Sequence, residues 1–361
     1  MSEPSPSVII KKSRLKKIGS DPVATAKAVK LVYVNSTDEG ITRIRNGKGF
    51  TYKYRDKTVK DKEHLQRIKS LVIPPAWEDV WICALPNGHL QVTGKDVKNR
   101  KQYRYHPHWN ELRNQTKFYK LLELGKVLPA IRKQVEKDLS LPGLPKNKVL
   151  AAVISLMEKT GIRIGNEFYE KLYGSFGLTT LKDKHVNIKG GTVKFTFRGK
   201  KGVEHNITLT SKKLSKIVNQ CRDIPGKELF QYIDEEGKRQ SIESGMVNEY
   251  IKEIAEGEFT AKDLRTWYGS VTALSALKET GLFETAKEAK QNVITVLDKV
   301  SVQLGNTRTV CKKYYVHPSL LELYENGKIA PWLEKIEGGT KEDNPALQPE
   351  EKVLMNILES L

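Results

Sequence analysis

Residues 193–209 read VKFTFRGKKGVEHNITL, and they form the one clear strand pair in a half of the chain whose pattern is otherwise helical. Apolar and polar residues alternate on both sides of a turn at 198–202, which predicts a half-buried β-hairpin. Around it, apolar residues recur at helical spacing from about 110 to 131 and over 146–160, 166–174, 211–222, 244–256, 260–280, 285–304 and 318–326. This half of the chain is therefore predicted to be a mainly helical domain that carries one hairpin.

The preceding residues, 30–106, have the pattern of strands, with one predicted helix at about 61–70. Asn46-Gly47 and Asn87-Gly88 each separate two short β-type runs, and Asn-Gly favours hairpins because both residues tolerate a positive φ. We therefore expect an α+β fold, with a small strand-rich N-terminal domain at 25–108 and a larger, mainly helical domain at 109–335. Residues 1–24 are predicted to be a flexible basic arm, and 336–361 a C-terminal tail that forms a linker ending in a short helix.

The charge of the chain points to a polyanionic partner. Its 361 residues include 62 Lys and Arg against 43 Asp and Glu, which gives a formal net charge of +19. Nucleic acid is the first candidate for the partner, and an anionic membrane surface is the second. The sequence contains no stretch of about 18 apolar residues of the kind that spans a bilayer. The basic N-terminus is not followed by the apolar core of a signal peptide. Three distant cysteines indicate a reducing compartment, so we predict a cytoplasmic protein.

The sequence lacks the motifs that are typical of nucleotide binding and of zinc binding. The sequence has no Gly-x-x-x-x-Gly-Lys-Ser/Thr loop for a nucleotide and no His-Glu-x-x-His pattern for zinc. His106 and His108 are paired, but no acidic partner follows them nearby. No obvious cluster of Asp and Glu is present of the kind that holds Mg²⁺ for nuclease chemistry. We therefore predict neither a metal site nor a cofactor.

Five residues of the second domain are candidates for chemistry. Arg163 lies in a predicted turn between helices, Lys200 at the hairpin tip, and Arg265 in the first turns of a helix. Asn306 follows Gly305 at the predicted end of another helix, and Tyr315 comes nine residues later. Each residue alone has an ordinary structural explanation, such as a salt-bridged arginine or a polar turn. Their order and spacing together are more specific.

That order resembles the type IB DNA topoisomerases, most closely their small poxvirus-like and bacterial members. The resemblance extends over about 30–325. It is carried by IRIGN at 162–166, TLKDKHV at 180–186, FRGK at 197–200, KDLRT at 262–266, GNT at 305–307 with Tyr315, and GKDVKNRKQYRYH at 94–106. It implies an enzyme that cuts one strand of duplex DNA through a 3′-phosphotyrosyl link and reseals it. Supercoils of both signs would relax, with neither ATP nor metal.

The resemblance also implies a role for each candidate. Tyr315 would be the nucleophile, and Lys200 the general acid that protonates the leaving 5′ oxygen. Arg163 and Arg265 would stabilise the charged phosphate, because a guanidinium donates two parallel hydrogen bonds and stays charged. Asn306 stands where many members have histidine. Its amide can donate a hydrogen bond but cannot transfer a proton, so we expect it only to stabilise the phosphate.

Tyr314 is an alternative nucleophile, since two tyrosines are adjacent. The spacing from Asn306 favours Tyr315. Neighbouring residues of a helix point about 100° apart, so only one of the two can face the phosphate.

DNA contacts are implied in both domains. Arg100, Gln102 and Tyr103 match residues of the first domain that contact DNA, and Asn166 and Tyr169 match residues near the cut. Arg and Tyr can hold phosphates, while Gln can read an adenine edge. The expected partner is double-stranded DNA, clamped between the two domains of a monomer that is associated with the nucleoid.

Two other functions remain open from the sequence. A tyrosine recombinase shares the Arg-Lys-Arg-Tyr chemistry, but those enzymes usually carry His three residues before the second Arg, where this chain has Lys262. A basic nucleic-acid-binding protein without catalysis would explain the charge and the aromatic residues interleaved with Lys and Arg at 100–105. It would not explain five matched positions.

Overall fold

The structure, a computed structural model, describes residues 22–47, 49–97, 99–336 and 346–361, with 114–116 described by their backbone only. The chain forms two compact units, Met1–Tyr119 and Lys120–Leu361. The division falls inside the long helix Pro107–Leu139, beyond the domain boundary predicted between 108 and 109. The basic arm predicted at 1–24 lies outside the described residues as far as Asp21, and the first helix begins at Pro22.

Helices and strands follow one another along the chain in an α+β order, which confirms the expected fold class. In chain order they are α1 Pro22–Ala28, β1 Gly40–Asn46, β2 Gly49–Tyr54, β3 Lys57–Thr58, α2 Lys62–Ser70, β4 Glu78–Cys83, β5 Leu90–Lys95, β6 Lys101–Tyr105, α3 Pro107–Leu139, α4 Lys146–Thr160, α5 Glu167–Tyr173, β7 Val186–Lys189, β8 Thr192–Arg198, β9 Glu204–Thr210, α6 Lys212–Arg222, β10 Gln231–Ile233, β11 Arg239–Ser241, α7 Ser244–Ala255, α8 Ala261–Thr280, α9 Ala286–Leu304, α10 Arg308–Tyr314, α11 Pro318–Glu325, α12 Ala330–Glu334 and α13 Pro349–Ser360.

The first unit is built on one antiparallel sheet with strand order β3-β2-β1-β4-β5-β6. Both predicted hairpins are confirmed: Asn46 pairs with Gly49 across β1 and β2, and β4 pairs with β5. The apolar run at 31–34, which we expected to be a strand, makes only an isolated bridge from Val32 to Gly88. Ile68 of α2 is buried against the sheet with the apolar side chains of β1, β4 and β5. The strand β6, which carries the candidate DNA contacts Gln102 and Tyr103, pairs with β5 at the edge of this sheet.

The second unit is mainly helical, and the helices predicted from residue 146 onward lie within one or two residues of the observed ones. The helix predicted at about 110–131 is longer, Pro107–Leu139. The predicted hairpin is β8 and β9, paired from Thr192 opposite Thr210 to Arg198 opposite Glu204. A third strand, β7, pairs with β8 and was missed, since four residues give too short an alternation. The helices α4 and α9 end at glycines in the left-handed conformation, Gly161 with φ +64° and Gly305 with φ +57°.

The last helix, α13, belongs to the packed core of the second unit, although the sequence assigned 336–361 to a tail. Its Leu354 and Ile357 are fully buried, and the helix packs against α8. Glu351 accepts two hydrogen bonds from Arg132, at 2.7 and 2.8 Å, and one from the indole of Trp267 at 2.8 Å. Arg132 also pairs with Glu158 of α4. These contacts join α13 to the helix that carries Arg265.

Candidate active site

Arg163 is positioned by the end of α4 and by a close backbone approach. After Gly161 turns the chain, the Arg163 carbonyl accepts a hydrogen bond from the Leu178 amide at 2.9 Å. Gly177 must be small here, because a Cβ on it would lie 2.6 Å from the Arg163 carbonyl oxygen. The half-buried Arg163 guanidinium then donates through Nη2 to the Gly305 carbonyl at 3.2 Å and to Asn306 Oδ1 at 2.5 Å. The structure therefore joins two of the predicted site residues directly.

Arg265 lies in the first turns of α8 and is only 4 % exposed. It donates to the carbonyls of Gly161 and, at 3.1 Å, of Leu304, which are the two helix ends next to Arg163 and Asn306. Its Nε is buried and has no hydrogen-bond partner within the described residues. Burial, followed by the charge of Arg163, lowers the Arg265 pKa to about 10, so the guanidinium still carries its charge at neutral pH.

The two arginines form a pocket of uncompensated positive charge. Tyr315 and Cys311 act electrostatically on both guanidinium groups, and Arg163 also acts on Arg265. No carboxylate is among these groups within the described part of the chain. The side-chain nitrogen of Asn306 is also buried without a partner there. Buried donors and buried charge without partners are costly, so this pocket is suited to an anion.

Tyr315 is the residue that the structure brings to this pocket. It is the C-terminal cap of α10, with its amide bonded to the Cys311 carbonyl at 2.9 Å. The Arg265 guanidinium carbon lies 5.3 Å from the Tyr315 ring centroid, and Arg265 is hydrogen-bonded to the Tyr315 side chain. Ser270 of α8 fixes the Tyr315 carbonyl at 3.2 Å. Tyr314 is instead 37 % exposed and has Lys313 5.4 Å from its ring centroid.

Lys200 stands on the exposed turn between β8 and β9. The turn is closed by hydrogen bonds from the Gly199 amide to the Val203 carbonyl, 2.7 Å, and from the Gly202 amide to the Gly199 carbonyl, 3.1 Å. The Lys200 ammonium lies 5.7 Å from the ring centroid of Tyr169, another predicted site residue. The hairpin therefore presents the lysine next to α5.

His205 is a site residue that sequence reasoning missed. It lies on β9 opposite Phe197, is 7 % exposed, and stacks on the Phe197 ring with centroids 4.8 Å apart. Burial, and then the charges of Arg163 and Arg265, lower its pKa to about 4. The available signal was its inward position in the alternation of the hairpin, between Val203 and Ile207.

Comparison with known proteins identifies the family. The sequence model described as eukaryotic DNA topoisomerase I, catalytic core, matches residues 106–337, and that of the bacterial DNA topoisomerase IB N-terminal domain matches 49–96. DNA topoisomerase 1B of Acanthamoeba polyphaga mimivirus is 34 % identical over 299 residues, which cover 80 % of this chain and 88 % of the relative. DNA topoisomerase 1B of Vaccinia virus is 25 % identical over 269 residues, 73 % of this chain and 82 % of the relative.

The chain belongs to the type IB DNA topoisomerases. The resemblance drawn from its motifs is thus confirmed, and of the three functions considered from the sequence, the topoisomerase is the one that the relatives support. Among solved structures, the XerH site-specific recombinase bound to its difH substrate aligns with 16 % identity and a TM-score of 0.36, over 57 % of this chain and 53 % of the recombinase. That likeness is too low to bear on function.

The predicted DNA contacts of this topoisomerase are half-buried or exposed, and they are engaged within each unit. In the first unit, Asp96 pairs with Arg100 at 2.5 Å and accepts from Gln102 at 2.9 Å. Tyr103 is 49 % exposed and stacks on Tyr105. These contacts leave the proposed DNA-binding roles as predictions.

In the second unit, Asn166 caps α5 by accepting from the Phe168 amide at 3.0 Å. None of the residues of α5 is buried, and Phe168, Tyr169 and Leu172 are all exposed. A short helix with three exposed apolar side chains is suited to a contact surface. Among the described residues, no helix is both long and apolar enough to cross a membrane.

Proposed function

We propose that this topoisomerase relaxes positive and negative supercoils by cutting one DNA strand with Tyr315, holding the end as a 3′-phosphotyrosyl link, and resealing it. The observation that carries the proposal is the pocket of Arg163, Arg265 and Asn306 beside the Tyr315 side chain. It supplies positive charge and unpaired donors where a phosphodiester would gain negative charge. Donors fixed in place before the reaction stabilise such charge strongly.

The proposed reaction is a transesterification. The Tyr315 oxygen attacks phosphorus and releases its proton to solvent water, while the bond between phosphorus and the 5′ oxygen breaks. Arg265, which is hydrogen-bonded to the Tyr315 side chain, stabilises the tyrosyl oxygen as it becomes negative. The released 5′ oxygen takes a proton from Lys200 and leaves as a hydroxyl. General acid catalysis of this kind contributes roughly 10²–10⁴-fold.

Resealing reverses these steps with the 5′ hydroxyl as the nucleophile. One phosphodiester is exchanged for another, so the bond energy is retained and no nucleotide is needed. The proposed enzyme works as a monomer on duplex DNA without metal or cofactor. We place it in the cytoplasm, on the nucleoid.

The decisive experiment compares the parent with Tyr315→Phe and Tyr314→Phe, two adjacent variants that each lose one hydroxyl. Relaxation of supercoiled plasmids of either sign is measured in EDTA without ATP, and covalent adducts are trapped with detergent on end-labelled DNA. We expect the parent and Tyr314→Phe to relax both plasmids and to attach to the 3′ phosphate. Tyr315→Phe should bind DNA but neither relax nor attach to it. Adduct formation by Tyr315→Phe would refute the assignment.

A further inference from the structure

One buried imidazole separates the two backbone turns that carry Lys200 and Asn306. His205 faces Gly199, the residue before Lys200, and Gly305, the residue before Asn306. A Cβ added to Gly199 would lie 2.7 Å from the imidazole, and one added to Gly305 would collide with it. Both neighbours of the functional residues are therefore packed directly on the same ring.

The backbone conformations support this contact from both sides. Gly305 adopts φ +57° at the end of α9, so the left-handed turn and the imidazole both exclude a side chain there. Gly199 closes the hairpin turn through its hydrogen bond to Val203. The Phe197 ring holds the imidazole from behind at an interplanar angle of 11°. His205 is thus fixed in position by its neighbours on both turns.

The charge of His205 plays no role in the proposed steps. The charged groups that act on it are Arg163 and Arg265, and with burial they keep the imidazole neutral at physiological pH. A neutral ring among two arginines offers no proton for the 5′ oxygen. Its contribution must come from its shape and contacts.

We infer that His205 is a positioning residue. By lying between Gly199 and Gly305, it sets the distance between the Lys200 turn and the pocket of Arg163, Arg265 and Asn306. The inference rests on the proposed function, in which Lys200 protonates the leaving oxygen. Without the imidazole, the hairpin tip loses its support against the Gly305 turn. A displacement of about 1 Å at a reacting group can cost on the order of 10²-fold in rate.

The test uses two DNA substrates that differ in the need for a proton. In one substrate the leaving atom at the scissile phosphate is a 5′ oxygen, and in the other it is a 5′-bridging sulfur. The cysteine thiol has a pKa of about 8.5, far below that of an alcohol. A 5′ sulfur therefore departs as a thiolate with the electron pair of the phosphorus–sulfur bond and needs no acid. Single-turnover cleavage of both substrates is measured for the parent, Lys200→Ala, His205→Ala and the double variant.

We expect His205→Ala to cut the oxygen substrate about 10²-fold more slowly and the sulfur substrate at nearly the parental rate. The double variant should be no slower than Lys200→Ala alone, because residues that act through one group are not additive. Equal loss on both substrates for His205→Ala, or no loss on either, would overturn the inference.

Failure of the proposed function is distinguishable. If Lys200→Ala itself is slowed equally on both substrates, the assignment of Lys200 fails, and the role of His205 fails with it. If Lys200→Ala is rescued by sulfur and His205→Ala is not, only the inference about His205 fails.

His185→Ala serves as the matched control. His185 is also buried, at 8 % exposure, and lies against a phenylalanine, Phe176, with ring centroids 4.3 Å apart. Its loss should lower stability without a preference between the substrates. If His205→Ala does not fold, as judged by thermal melting, His205→Asn replaces it under the same criteria.

Discussion

Arg265 is a charged side chain that the fold buries with no counter-ion among the described residues. Two of its guanidinium nitrogens donate to the carbonyls that end α4 and α9, and Nε has no partner in that part of the chain. This arrangement demands a planar group with several donors, which a lysine ammonium cannot reproduce. The identity of the residue at this position, and not only its charge, should therefore matter.

Arg265→Lys is expected to cleave DNA at least about 10²-fold more slowly in single turnover, because it loses a fixed donor to the phosphate. Binding of duplex DNA should change little, since the positive charge remains. Lys262→Arg, one turn earlier on the same helix, is the control and should behave as the parent. A normal rate for Arg265→Lys would show that charge alone suffices.

At the scale of residues, the sequence predicted the polar residues of the pocket but not the histidine that packs beside them. Arg163, Arg265, Asn306 and Tyr315 were predicted by the order of motifs, and the structure brings these four together. His205 was missed because a histidine in an alternating strand looks like any inward-facing residue. The importance of His205 depends on its contacts with Gly199 and Gly305, and Gly305 is far from it in the sequence.

At the scale of elements, periodicity predicted the long helices well and the short elements poorly. α10 spans only Arg308–Tyr314 and has few apolar residues, so no helical repeat is visible in it. The small pair β10 and β11 escaped notice for the same reason. Such elements are fixed by tertiary contacts, as when Ser270 of α8 holds the carbonyl of Tyr315.

The attachment of α13 makes a prediction at this scale. Glu351 is 5 % exposed and bonds Arg132 and the Trp267 indole. Glu351→Ala leaves a partly unpaired buried cation and an unpaired indole donor, and should lower the free energy of unfolding by about 3–5 kcal/mol. Urea denaturation measures this change. Glu359→Ala, on the exposed end of the same helix, should cost almost nothing, and equal losses would contradict the structure.

At the scale of the whole molecule, the charge of +19 predicts how binding responds to salt. Each neutralised phosphate releases counterions, so a protein with several phosphate contacts loses about 10³–10⁵-fold in affinity between 50 and 200 mM salt. We expect Tyr315→Phe, which cannot cleave, to follow this slope on duplex DNA. Fluorescence anisotropy measures it.

The control for this prediction is the cleavage rate of the parent at saturating protein. Salt should leave that rate nearly unchanged, because the buried Arg265 is screened far less than surface charges. An affinity that is insensitive to salt would contradict binding through phosphates.

Tyr315 and Arg265 are tied to one helix, since Ser270 and Gly269 of α8 pack on the backbone of Tyr315. Lys200 is carried by a different element, the exposed turn between β8 and β9, beside Tyr169. In the proposed reaction, the group that makes the new bond and the group that releases the old one therefore come from separate elements. A duplex that does not reach the hairpin turn would lack its general acid, so the proposed cleavage requires a substrate seated against both elements.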